Sequence, residues 1–349
     1  FAEENTPGVN FIIPNIASLV EKKENIRGVI LTHGHLDHIG AISYVIEQLG
    51  NPIIYSSRFT AELVKKRHSE FRNAPKLNIQ IIKPGDKVRI SDDFEAEFFE
   101  IEHTIPEAYG FRLTTPVGDM VNFGDFRLTI DMDGKPVNTE VFEQVAAKPV
   151  HTIFADSTSA EFPGFSTSEE LVTHNLAKLI RDAKGRVIIA TFASLVERLI
   201  EIVKIAEKLG KKVAINGRGM VNSMDIARKL GELKGIGSSL IDMRDVQKYK
   251  DHEIVILTTG GQGEENAGLT RITEGSHRDV QMKTTDTIIF SSSVVPGNER
   301  SVQTLQDKIA RQVDEVYNYK MLDIHASGHG RSEDLKYILD LIKPQFVVP

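Results

Sequence analysis

Six consecutive residues carry four groups able to bind a metal ion: His33-Gly34-His35-Leu36-Asp37-His38. They follow Gly28-Val29-Ile30-Leu31, an apolar run that reads as a short buried strand, so the motif lies at a strand's C-terminal end. In an extended segment His33 and His35 point to one side, and Asp37 and His38, past the turn, reach a second position. Imidazole and carboxylate suit zinc, with manganese as a substitute. The chain has no cysteine, which removes disulfides, thiolate zinc sites and cysteine nucleophiles. Any metal must therefore be held by His, Asp and Glu. A polar loop with chance histidines is the ordinary explanation for a single His. Four ligand types this close are costly to keep together without a metal.

The elements that must position these residues alternate between strand and helix, the pattern of an α/β protein. Residues 52–55 and 79–82 read as strands on either side of a helix over 60–71. Strands dominate from 79 to 127, with 94–101 and 119–123 the clearest, which implies a partly antiparallel sheet. After Asp156 the character changes. Pro163-Gly164 breaks the chain, and Ser166 to Glu169 has the form of a capping box. Helices over 169–183, 194–209, 222–233 and 301–313 then alternate with strands at 186–190, 212–215, 253–258 and 287–291. Such a βαβ run implies a second domain with a parallel sheet. Residues 320–325 read as a further strand, Ser332-Glu333-Asp334 as the cap of an amphipathic helix, and 346–348 as another strand.

The H-x-H-x-D-H pattern resembles that of the metallo-β-lactamase superfamily, whose fold is an αββα sandwich. The resemblance implies a later His and a later Asp at strand ends. His103 in Glu102-His103-Thr104 and Asp125 in Phe123-Gly124-Asp125-Phe126 match them. On that resemblance His33, His35 and His103 hold one ion, Asp37 and His38 hold a second, and Asp125 bridges both. Taken singly, His103 equally suits a structural strand end and Asp125 an ordinary turn; their order behind the first motif favours the metal role.

Further segments resemble the β-CASP branch, and within it the ribonuclease J family. Ala155-Asp156-Ser157-Thr158 and Ala326-Ser327-Gly328-His329-Gly330 match the branch's two extra motifs. The segments Thr258 to Glu264 and Ser291 to Glu299 match the family. The implied organisation is a metallo-β-lactamase domain over residues 1–162, an inserted β-CASP α/β domain over 163–320 and a return segment over 321–349. The implied activity is metal-dependent hydrolysis of RNA, 5′-to-3′ exonucleolytic with some endonuclease cleavage, by dimers or tetramers. Asp37 and His329 are the implied catalytic residues, His329 acting on the leaving oxygen. Ser292, Ser327, His329, Asp156 and Ser157 would line an RNA or phosphate site with a preference for a 5′-monophosphate. Relative to the family, the opening strands, the final strand-end His and a C-terminal domain are missing, so the chain is expected to be a fragment.

Composition sets the remaining bounds. With 349 residues, 40% hydrophobic and 26% charged, the chain can bury a core of about two domains. No apolar run approaches a membrane span, and residues 1–7 lack the basic start and apolar stretch of a signal peptide; a cytoplasmic protein is expected. A net charge of −7 argues against nonspecific coating of nucleic acid but leaves room for a metal centre that supplies positive charge locally. Two other functions fit part of the pattern. A hydrolase of small thioesters or lactams needs only the metal motif, and neither an inserted domain nor a Ser-Gly-His segment. A catalytically weak RNA-binding subunit would tolerate loss of the ligands, yet HGHLDH is intact. His68, His151, His174, His252, His277 and His325 read as structural or solvent-facing.

Overall fold

The structure, a computed structural model, describes residues 9, 12–72 and 74–349. The reading of residues 1–7 lies outside the described residues. Three parallel strands, Val29–Ile30, Ile54–Ser56 and Ile79–Ile81, form one sheet. A second sheet of six strands runs in the order Phe346–Val348, Thr152–Phe154, Met120–Asn122, Tyr109–Thr114, Glu95–Glu100, Lys87–Arg89. Its first three strands are parallel and the others antiparallel.

Alternation along Glu95–Glu100 explains how the sheets stack. Ala96 and Phe98 are buried and Glu95 is exposed. The two apolar side chains meet Tyr55, Ile82 and Tyr109 between the sheets. On the far side of the first sheet, Leu31 and Ile54 pack against Ile39, Ile42 and Val64 from the helices Leu36–Ile39, Ile42–Val45 and Arg58–His68. On the far side of the second, Val121 and Ile153 meet Phe142 and Val145 of Glu140–Ala146 and Ile338 and Ile342 of Ser332–Ile342. Helix, sheet, sheet and helix make the αββα sandwich of the metallo-β-lactamase fold.

A third sheet is wholly parallel, in the order Leu240–Ile241, Lys212–Asn216, Ile254–Thr258, Val187–Ala190, Thr287–Phe290, Glu315–Asn318. Its central strands are buried on both faces, as their unbroken apolar runs require. Val187, Ile189 and Leu257 pack under Leu176, Val203 and Met224 of the helices Glu169–Asp182, Val196–Lys208 and Arg218–Leu230. Ile188, Ile256 and Phe290 face the helices Gly268–Thr273 and Glu299–Ala310. Phe59 and Ile105 of the sandwich belong to the same apolar cluster as Leu176 and Ala326, and Lys229 pairs with Glu62, so the two halves share a core.

Several sequence expectations need correction. Residues 320–325 are not a strand: the edge strand is Glu315–Asn318, and the Asn318 side chain accepts from the Lys320 amide at 3.0 Å to start a turn. Ser166 does not cap the helix that follows. Ser168 does, accepting from the Leu171 amide, which leaves Glu169 free for other partners. The helix expected over 222–233 starts at Arg218 and stops where Gly231 takes a left-handed conformation, φ +92°. The helix expected over 60–71 is Arg58–His68, begun by Ser57. Tyr109–Thr114 is a strand inside the strand-rich stretch 79–127, Thr152–Phe154 is the strand that ends at Ala155-Asp156-Ser157-Thr158, and the helix Glu140–Ala146 has no counterpart in the sequence reading.

Asp334, fully buried, ties three parts of the chain together. Its carboxylate accepts from the amides of Leu128 at 2.9 Å, Ser166 at 2.8 Å and Arg331 at 3.1 Å. These are the exit from Asp125, the entry to the parallel-sheet half and the start of the return helix. Asp334→Ala leaves three buried donors unpaired, at a cost of about 3 kcal/mol. A urea unfolding series should show that loss as a lower midpoint, with Asp334→Asn intermediate.

Candidate metal centre

The HGHLDH segment folds as expected. His35 ends the extended stretch with φ −68° and ψ 151°, and Leu36–Ile39 makes a single helical turn. His103 follows the strand Glu95–Glu100, and Asp125 follows Met120–Asn122. Gly124, at φ +62°, lets the chain swing over Thr32; a Cβ there would stand 2.8 Å from the Thr32 Cβ.

These strand ends converge. His33, His35, His103 and Asp125 each offer a ligand atom within 4.8 Å of the others, and Asp37, His38 and Asp125 form a second such group. Asp125 Oδ2 belongs to both, 3.2 Å from His38 Nε2 and 3.7 Å from His33 Nε2. Asp37 Oδ2 lies 3.5 Å from His38 Nε2. A third group joins Asp125 to Asp156 and His329. His329 Nδ1 is 2.7 Å from Asp156 Oδ2 and 3.9 Å from Asp125 Oδ2.

The donor set fits a cation. His103 Nδ1 sits 2.8 Å from the Gly328 carbonyl, which can only accept, so Nδ1 carries the proton and Nε2 is a bare lone pair. That lone pair faces His35 Nδ1 at 2.9 Å. Thr32 Oγ1 lies 3.1 Å from His33 Nδ1, while His33 Nε2 and His35 Nε2 are buried without a partner. Converging imidazole lone pairs beside a carboxylate are what a zinc-type ion satisfies and what water-free packing does not.

The electrostatics agree. Burial, reinforced by the neighbouring rings, drives the His33 imidazole far below its ordinary pKa. Burial takes His35 down to about 4 and His103 to about 3. All three imidazoles are therefore neutral near neutral pH. His38 and His329 go the other way. Burial opposes their protonation, but the hydrogen bonds and charges of Asp125 at His38 and of Asp156 at His329 outweigh it, and both pKa values are raised. Burial would lift Asp125, yet His38, His33 and His329 hold it well below the usual carboxylate range.

The other expected site residues divide. Ser327 receives the His329 amide at 3.3 Å, beside the cluster. Ser157 is exposed, and no hydrogen bond links its side chain to the cluster. Ser292 is buried at the C-terminal end of Thr287–Phe290, against Gln262 at 3.5 Å. Gln262 also donates to the Ser293 carbonyl and accepts from the Val295 amide, knitting two strand-end loops together. The Ser291 hydroxyl is committed to the Ile324 carbonyl at 2.7 Å and is not free for a ligand. Sequence reasoning missed Arg127, Arg198, Glu102 and Glu169. Arg127 reaches Glu102 at 3.1 Å, Glu169 at 3.2 Å and the Ser327 carbonyl at 3.0 Å. Arg198 reaches Glu169, His325 and the Ala326 carbonyl. Nothing in local sequence marks an arginine as buried.

The fold and the ligand cluster define a protein of the metallo-β-lactamase superfamily with a β-CASP domain. Residues 7–152 match the family model for the β-lactamase superfamily domain, and residues 184–309 match that for the ribonuclease J β-CASP domain. Ribonuclease J of Mycoplasma pneumoniae is 36% identical over the whole chain, which spans 61% of that protein. Ribonuclease J of Thermus thermophilus is also 36% identical, with 62% of its length covered. The chain thus spans about three fifths of these relatives. A crystal structure of a protein of unknown function from Enterococcus faecalis superposes with a TM-score of 0.64 at 19% identity, covering 92% of this chain and 74% of that one; it shares the fold. Along its whole length the chain is similar to ribonuclease J proteins.

If the cluster binds metal, His33→Ala and Asp37→Ala in the full-length protein should lower bound metal with the circular dichroism spectrum kept. Elemental analysis of the purified variants beside the parent checks this, and parental metal content in both would reject the assignment.

Proposed function

We propose that this chain is the catalytic part of a metal-dependent ribonuclease that hydrolyses RNA phosphodiester bonds. The carrying observation is the His329–Asp156 pair, 2.7 Å apart, beside the Asp125 carboxylate shared by both ligand groups. It sets a proton-handling group against a candidate two-ion centre, as cleavage of an ester with a poor leaving group needs. The names of the relatives support RNA as the substrate.

In this reading His33, His35 and His103 hold one ion, Asp37 and His38 the other, and Asp125 both. Two zinc ions, with manganese as a substitute, would supply water activation and neutralise charge on the scissile phosphate. His329 keeps its Nδ1–H on Asp156, whose hydrogen bond and charge raise its pKa against burial, which favours a proton on Nε2 for the leaving oxygen. Ser327 and Ser292, with backbone N–H groups of the Gly328 segment, hold phosphate along a cleft between the sandwich and the parallel-sheet half. We read residues 1–162 and 321–349 as the sandwich domain and 163–320 as the insertion. Cleavage in the 5′-to-3′ direction with some endonuclease activity, a dimer or tetramer, and action in the cytoplasm complete the proposal. No helix among the described residues is long and apolar enough to cross a membrane.

His329→Ala should lower the single-turnover rate on RNA by ~10²–10⁴-fold with little change in RNA affinity. Loss of affinity with an unchanged rate would instead assign His329 to phosphate grip, and no change in either would remove it from the site. Matched RNAs that differ only at the 5′ end should show faster digestion of the monophosphate than of the triphosphate. Compact neutral donors accommodate one phosphate better than a longer, more charged chain. Equal rates on both, unaltered in Ser327→Ala and Ser292→Ala, would dismiss the 5′ pocket.

A further inference from the structure

Beneath the ligand cluster lies an ionic network that neither the sequence motifs nor the ligand set uses. Arg127 and Arg198 are both buried, with side chains 3% exposed. Each forms an ion pair with the same oxygen of Glu169, Oε1. Each also donates to a main-chain carbonyl of one short segment, Arg198 to Ala326 at 3.1 Å and Arg127 to Ser327 at 3.0 Å, while Arg127 pairs with Glu102 as well. Arg198 also donates to His325 Nδ1 at 2.7 Å. The next carbonyl along, that of Gly328, accepts the Nδ1–H of His103. The residue after it is His329, held on Asp156. Gly328 has no room to shift toward the ring, since a Cβ on it would stand 2.5 Å from His103 Cε1.

We propose that Glu169 is a positioning residue: by holding Arg127 and Arg198 together it fixes the 326–329 segment, and through the Gly328 carbonyl it orients His103 as a ligand. Arg127 arises two residues after Asp125 and Glu102 one before His103, whereas Glu169 and Arg198 sit on the helices Glu169–Asp182 and Val196–Lys208. The network therefore transmits the seating of the inserted helices to the metal centre. A single carboxylate between two buried guanidiniums is the weak point of such an arrangement. Without its charge the two cations repel each other in a low-dielectric setting, and the carbonyls they hold are released. A cavity of about 290 Å³ lined by Glu102, Arg127, Glu169, Glu197 and Arg198 adjoins the network, so the arginines have somewhere to move.

The inference rests on the reading of the cluster as a metal centre, and its test does not need RNA. Full-length parent, Glu169→Gln and Arg198→Lys are loaded with Zn²⁺, and its release to an excess of a chromophoric chelator is timed at a temperature where circular dichroism shows every variant folded. Asp286→Asn is the control. It breaks a buried Arg186 pair of 2.6 Å in the parallel-sheet half, in contact with none of the cluster. The expected result is release at least about 10-fold faster from Glu169→Gln and Arg198→Lys, with the control at the parental rate; partners that orient a metal-binding His typically carry 10–100-fold in affinity. Parental release from both variants overturns the proposal. So does equal acceleration in the control, which would mean that global destabilisation is the cause. If Glu169→Gln fails to fold, Arg198→Lys, which keeps the charge and loses the fork, decides alone. A parent that releases no Zn²⁺ because it binds none would overturn this inference together with the metal reading. A parent that binds Zn²⁺ but leaves RNA intact would overturn only the ribonuclease reading.

Discussion

The Asp125 carboxylate is the point on which the site depends. Five imidazoles crowd around it, those of His33, His35, His38, His103 and His329, with His33 lying 4.0 Å from His38, 4.6 Å from His103 and 4.8 Å from His35 between ring centroids. Rings so close cannot all be protonated, and burial makes the three innermost neutral. Neutral rings in turn leave the Nε2 atoms of His33 and His35 without a hydrogen-bond partner, which is costly in a packed interior. The carboxylate offsets part of that cost by pairing with His38 Nε2 at 3.2 Å. A cation would offset the rest, because it replaces the missing donors and neutralises the carboxylate together. The architecture follows from this constraint. Strand ends from both sheets must stop at one spot, and the turns at Gly124 and Gly328 must bring backbone against side chain there.

Much of this was legible in the sequence because the signals are local. His33 to His38 are adjacent, so one strand and one turn fix their relation. His103 and Asp125 each end a strand with clear alternation or β-branched content, and their order completed the pattern. The parallel sheet was readable from unbroken apolar runs such as Val187-Ile188-Ile189-Ala190. The misreadings share a different cause. Residues 320–325 hold apolar side chains, yet Met321 is exposed and Asn318 turns the chain, so packing rather than composition decides. Ser166 to Glu169 has the spacing of a capping box, but Glu169 is claimed by two arginines from elsewhere. Tyr109–Thr114 lies in the strand-rich stretch but is hard to delimit, because Gly110 and Arg112 interrupt its apolar pattern. Arg112 is nonetheless buried, donating to Asp119 and to the Val145 carbonyl. Local propensity cannot register partners that arrive from a distance.

Charge organisation bears on how a polyanion could enter. The chain is acidic overall, and acidic groups gather around the centre itself: Asp37, Asp125 and Asp156. Without cations that surface would repel phosphate. With divalent ions bound, the same carboxylates become ligands and the local sign inverts. On the proposed reading, binding of metal and of a phosphodiester would be coupled through one set of side chains. An acidic total is compatible with a nucleic-acid enzyme as long as the positive charge is concentrated where the reaction occurs.

The last constraint is topological. His103 is held by a carbonyl 225 residues further along the chain. Between them lie the whole parallel sheet and its helices, which contribute Glu169 and Arg198 to the same connection. The sandwich can bury its own sheets through Phe98, Tyr55 and Tyr109 without that sheet, but it cannot orient His103 without the returning segment. Contacts of such long separation form late, since loop closure must precede them. Asp334 shows the same logic from the other side. One buried carboxylate joins the exit from Asp125, the entry to the insertion and the helix after His329. Asp334 thus ties the entry to the parallel-sheet half and the start of the return helix to the segment that follows Asp125. Two halves joined this way would present a substrate lying across both to the Asp125 cluster at a set distance rather than at the end of a flexible tether.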